Sequence, residues 1–211
     1  GIPQDRIAKR LGVPQQTISR YLPKMPELAK WVNSDLLKGF TVQQVAQKHD
    51  WPEPLVWSQA LVNADDFDRF KALQWGIRTW DVWNFVDCDN RFGDEWPGRI
   101  PAQLVAHILY FFSEPNDLVF DPMAGGGVCA DTCLAMGRRC WSLDMDDRPD
   151  TRPEIEPWFW DLEKDWEDLP FLNAKEKPVL IICDPPYFDK KADGYAKKSI
   201  SGLSKTDYLI F

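Results

Sequence analysis

Three acids close apolar runs, and each sits beside residues that open or stiffen the backbone. Leu118-Val119-Phe120 ends in Asp121, followed by Pro122-Met123-Ala124 and three glycines, Gly125 to Gly127. A second run ends in Asp144, 23 residues after Asp121. A third, 178–183, ends in Asp184-Pro185-Pro186-Tyr187. Glycines ahead of a helix-forming stretch let backbone approach a ligand closely, and a helix amino terminus adds partial positive charge. That geometry serves nucleotides, dinucleotides and nucleoside-like cofactors, or simply closes a tight turn. An acid at the tip of the next strand is placed to take the two hydroxyls of a ribose. After Asp184, two prolines remove two backbone donors and hold a carboxylate, a bare carbonyl and an aromatic ring in fixed relation.

Positioning these groups requires strands that end side by side. The spacing predicts a strand near Leu118, a helix over 128–136 stopped by Gly137, a second strand over 139–144 and a third apolar strand before Asp184. A helix over 99–113, opened by Pro101, leads into the first strand and carries His107 as a core or surface residue. The fold class is α/β, with a mostly parallel sheet flanked by helices.

DPMAGGG at 121–127, followed by DPPY at 184–187, resembles the amino-group DNA methyltransferases that use S-adenosylmethionine, over roughly residues 75–211. Met123 and Ala124 depart mildly from the family's usual pattern. The resemblance implies a Rossmann-like methyltransferase fold. It implies cofactor contacts from Asp121, Pro122, Met123, Ala124, Gly125, Gly127 and Asp144. Asp161 is the residue expected to take the cofactor's adenine amino group, in a third-strand region around 158–161, with Glu163 and Asp165 close by. Asp184, Pro185, Pro186 and Tyr187 would be catalytic, and an acid at the first of these positions goes mostly with adenine N6. Cytosine N4, RNA or protein as substrate, and a non-catalytic DNA-binding protein on the same fold, are the alternatives. A nicotinamide dehydrogenase would share the loop and Asp144 but has no need of the proline pair. A full fold of this type has about seven strands, of which three or four can be placed here. The expectation is therefore a fragment, incomplete at its carboxyl end, with its recognition region beyond Phe211.

Charge is distributed unevenly. Residues 1–48 hold eight Lys or Arg against three Asp or Glu, a local +5, and leave −13 to the rest of a chain whose net charge is −8. A basic arm on an acidic body suits double-stranded DNA as partner. Residues 4–22 resemble a helix-turn-helix whose second helix would enter the major groove. Gln15, Gln16, Thr17, Ser19 and Arg20 are its DNA-binding candidates, the amides for adenine edges and Arg20 for guanine or phosphate. Thr41 is expected to cap a second two-helix unit, with Val42, Val45 and Ala46 as one stripe and Leu55, Val56 and Leu61 as the next. That unit reads or merely spaces, and His49 is a surface or capping residue in its turn.

The expected division is 1–61 for the DNA-binding arm, 62–98 for an aromatic-rich connecting segment and 99–211 for the methyltransferase domain. The aromatics at 62–98 are expected to pack rather than to stack on bases, because few Lys or Arg are interleaved with them. Five cysteines form no CxxC pair. Cys129 and Cys133, four apart on the predicted helix, are expected to fill core space with the others, reduced and without metal. No apolar run is long enough to span a membrane, and the chain is expected in the cytoplasm.

Overall fold

The computed structural model describes residues 25–51, 53–158, 175–186 and 204–206. The expected helix-turn-helix with Gln15, Gln16, Thr17, Ser19 and Arg20 lies outside these residues, as do Asp161 and Tyr187.

Three helices come first: α1 (Met25–Leu37), α2 (Val42–His49) and α3 (Glu53–Ala60). Thr41 caps α2 as its sequence predicts. Its hydroxyl accepts from the Gln44 amide at 3.2 Å, and the Gln44 side chain accepts from the Thr41 amide at 2.8 Å. Val32, Val45, Ala46 and Val56 form a small core between the three helices. Asp35 is buried at its edge and takes Lys48 at 2.7 Å, His49 at 2.9 Å and Lys38 at 3.5 Å. His49 also stacks on Trp51, so it is tied to Asp35 and to that ring and is not a free surface residue.

The expected stripe on α3 is only partly present. Pro54 and Val56 are buried, while Leu55 and Leu61 are half-buried. The reason is that α3 is packed on two sides, by α1 and α2 and by a helix of the sheet layer. Val56 enters the small core, and its neighbour Trp57 packs against the large one. A helix between two cores shows no single apolar face.

The aromatic segment is part of the large core. Helix α4 (Asp66–Ala72) is capped by the Asp65 side chain and delivers Phe70, while Leu73, Trp75 and Phe92 follow from the loop after it. Helix α5 (Ala102–Phe112) starts at Pro101 and buries Val105, Ala106, His107 and Leu109. Then come β1 (Leu118–Asp121), α6 (Val128–Ala135), β2 (Arg139–Asp144), β3 (Ile155–Pro157) and β4 (Leu180–Ile181).

The sheet order is β3-β2-β1-β4, and every pairing is parallel. Leu118 pairs with Arg139 and Asp121 with Ser142, while Val119 pairs with Leu180 on the other side. The ladder runs one residue past β4, where the Ile182 amide donates to Phe120 O at 2.9 Å. The third strand in chain order lies at 155–157, just ahead of the 158–161 region expected for it. The ladder to β2 ends at Asp144↔Pro157, and the Trp158 amide then donates to Asp144 O at 2.7 Å. Among the described residues no helix is long and apolar enough to cross a membrane.

Candidate active site

The sheet order brings the expected residues to one edge. Strand β1 leads to β2 on one side, while β4 lies on the other, so the chain changes direction at β1. Such a switch point opens a crevice at the carboxyl ends of the strands. Asp121 ends β1, Asp144 ends β2, and Asp184 follows β4 by three residues.

Asp121 is only 4 % exposed, and its carboxylate accepts from the Met123 amide at 3.1 Å. Burial, reinforced by the neighbouring Cys140, pushes its carboxyl well above the usual range. The loop after it is tied to β2 twice. The Ala124 amide donates to Leu143 O at 2.8 Å, and the Gly125 amide to Asp144 Oδ2 at 2.7 Å. Asp144 Oδ1 accepts from the Asp146 amide at 3.0 Å. Burial raises its carboxyl despite these two donors. Each Asp144 oxygen therefore holds one loop amide and keeps a second lone pair for another donor. Gly127, at φ 85°, adopts the left-handed conformation and caps α6.

Asp184, Pro185 and Pro186 are half-buried. The Asp184 carboxylate has no hydrogen-bond partner among the described residues, and burial raises it above the ordinary value. Between the acids lies Cys183, whose thiol is pushed up by desolvation and then by the charges of Asp121 and Asp184. Both carboxylates are thus within electrostatic reach of one sulfur.

Several residues at the loop carry no signal of their role in the sequence. Segment 93–98 is clipped onto it: the Asp94 amide donates to Gly126 O at 2.8 Å, and the Gly93 amide to Asp131 Oδ2 at 2.7 Å. The Trp96 indole lies so close that a Cβ on Gly125 would sit 3.0 Å from it. Arg148 stacks its guanidinium 4.4 Å from the Trp96 ring centre and donates to Gly125 O. Arg152 donates to Gly127 O at 3.0 Å and pairs with Asp131 at 3.0 Å and Glu154 at 2.7 Å. The glycines thus admit side chains of the protein itself, not only a ligand. The one local hint is the Gly-Asp-Glu-Trp-Pro-Gly turn at 93–98, which fixes a bend but not what it touches.

No curated protein and no solved structure matches the chain. The sequence pattern of the DNA methylase family does match, over residues 15–148, which is more than half of the chain. The match takes in the glycine loop and Asp144 and ends before Asp184. With that match on a parallel α/β sheet, the chain belongs to the DNA methylase family of N6-adenine and N4-cytosine methyltransferases, whose members share an S-adenosylmethionine-binding fold.

Proposed function

We propose that this protein methylates the exocyclic amino group of adenine, at N6, in duplex DNA, and that it does so on a Rossmann-like methyltransferase fold. The observation that carries the reading is the half-buried Asp184, without a hydrogen-bond partner among the described residues, at the strand end beside Asp121 and the glycine loop. The donor set suits S-adenosylmethionine. Asp144 has lone pairs left for ribose hydroxyls, the first amides of α6 can face a carboxylate, and Asp121 with 122–127 shapes the floor between them. Asp161 is assigned to the adenine amino group. When bound, that cofactor supplies an electrophilic methyl group.

The remaining steps belong to the chain. An adenine amine has its lone pair drawn into the ring and is a poor nucleophile. The Asp184 carboxylate and the Pro185 carbonyl each accept one amino hydrogen, which turns the nitrogen toward tetrahedral geometry and aligns it. Tyr187 stacks on the base, which is flipped out of the duplex to reach the crevice. Alignment and charge placement account for the rate, without a covalent intermediate. Gln15, Gln16, Thr17, Ser19 and Arg20 bind the duplex from the arm at 1–61, with 62–98 joining it to the domain at 99–211.

The test is transfer from tritiated S-adenosylmethionine to mixed-sequence DNA, followed by nucleoside analysis. N6-methyladenine is expected, and Asp184→Ala should abolish transfer while S-adenosylmethionine still binds. Labelled N4-methylcytosine would overturn the base assignment. Binding of NAD in place of S-adenosylmethionine would overturn the class.

A further inference from the structure

Between α6 and β2, three sulfurs converge. Cys129 and Cys133 lie one turn apart on α6 and are buried, and Cys140 lies on β2, half-buried. Their three Sγ atoms all lie within 4.8 Å of one another, and Cys129 and Cys140 are 4.0 Å apart. Three thiols filling core space would need no shared focus.

We propose that Cys129, Cys133 and Cys140 form a binding site for a thiophilic closed-shell cation of the zinc and cadmium class, with a solvent molecule completing its coordination. Thiolates at about 2.3 Å from a tetrahedral zinc lie about 3.8 Å from one another. The observed sulfur spacing needs a closure of about 1 Å at most, within reach of side-chain rotation on a helix and a strand that are already packed. Soft sulfur ligands select this class over magnesium or calcium, which take oxygen. Binding releases the three thiol protons to solvent and leaves net negative charge on the complex. The Ser142 hydroxyl, 3.1 Å from the Cys140 sulfur, and the positive end of α6, where Cys129 is the second residue, face that charge. Cys140, half-buried where the other two are buried, is the most accessible of the three.

The experiment titrates the reduced, metal-free full chain with Cd2+ against a competing chelator. Sulfur-to-cadmium charge-transfer absorption and equilibrium dialysis are the readouts. One Cd2+ per chain is expected, with three of the five thiols withdrawn from a thiol reagent. The Cys88→Ser/Cys183→Ser double variant should keep that binding, because both lie outside the cluster. Cys140→Ser, checked for folding by circular dichroism, should weaken it at least about tenfold. A folded wild-type chain that takes no Cd2+ would overturn the site, as would loss of binding in the Cys88/Cys183 variant. Unchanged affinity in a folded Cys140→Ser variant would also overturn it.

Discussion

The three-helix unit and the sheet-bearing body both close around a buried charge, but they draw its partners from different distances. Asp35 takes Lys38, Lys48 and His49, all within 14 residues. Arg138 takes Asp66, 72 residues earlier, together with the carbonyls of Leu109, Ser113 and Met136. Nearby, the Arg69 guanidinium donates to Ala135 O across 66 residues. Local pairs can form as soon as two helices meet. Long-range pairs form only when α4, α5 and α6 are already together. The comparison teaches that the body stands or falls as one unit, whereas the helical unit is built from its own neighbourhood.

Removing Arg138 should break this contrast most severely. Arg138→Met leaves Asp66 and three carbonyls without their buried donor, and should cost about 3–5 kcal/mol in chemical denaturation. A loss under about 1 kcal/mol would mean that the body does not depend on this pair. Next comes Gly127→Ala. The left-handed φ of 85° disfavours a side chain, and a Cβ there would collide with the Arg152 guanidinium. About 1–3 kcal/mol should be lost in thermal melts, all of it from the body.

His107 gives a pH test of the same region. It is fully buried against Phe70, Trp83 and Phe85, with Nδ1 2.6 Å from Gln103 O and Nε2 accepting from the Arg78 amide at 3.0 Å. That arrangement suits the neutral ring, and burial lowers its pKa below the ordinary 6.5. The unfolded chain therefore binds the proton first on acidification. Stability from this site is complete above pH 6.5 and is lost as pH falls through the lowered value. Urea midpoints between pH 7.5 and 5 should drop in the wild type and stay flatter in His107→Gln.

Asp35→Asn should have the smallest effect and sharpen the contrast from the other side. Amide exchange should quicken in 25–60 and stay unchanged in the sheet. The Lys48 and His49 hydrogen bonds hold the Asp35 carboxyl well below its ordinary 3.8. Its stabilisation is present above that value and is lost as pH falls through the lowered one. Equal quickening in β1 and β2 would show that the two regions are one cooperative unit.

What the sequence revealed follows the same division between local and distant. Strand β1, the glycine loop, α6 and β2 were legible because each is specified by its own residues: apolar runs, three glycines, an acid at each end. Thr41 with Gln44 was legible for the same reason. Strand β3 at Ile155-Glu156-Pro157 was not legible because it has no apolar run and its pairing is decided by Ser142 to Asp144, while residues 159–161 of the expected third-strand region lie outside the described residues. Trp96, Arg148 and Arg152 were missed because their partners at the loop are the Gly125 and Gly127 carbonyls, the glycine backbone and, for Arg148, the Trp96 ring, none of which a residue type announces. The cysteine cluster was half-visible: the spacing of Cys129 and Cys133 shows a shared helix face, but only the pairing of β2 with β1 brings Cys140 to it.

Helix α3 has a mechanical consequence. With Val56 set in one core and Trp57 in the other, it behaves as a shaft rather than a hinge. A load applied to α1 or α2, such as a partner seated on them would impose, has no slack joint in which to dissipate. It passes through α3 to α6, the helix that packs against it and that Gly127 begins.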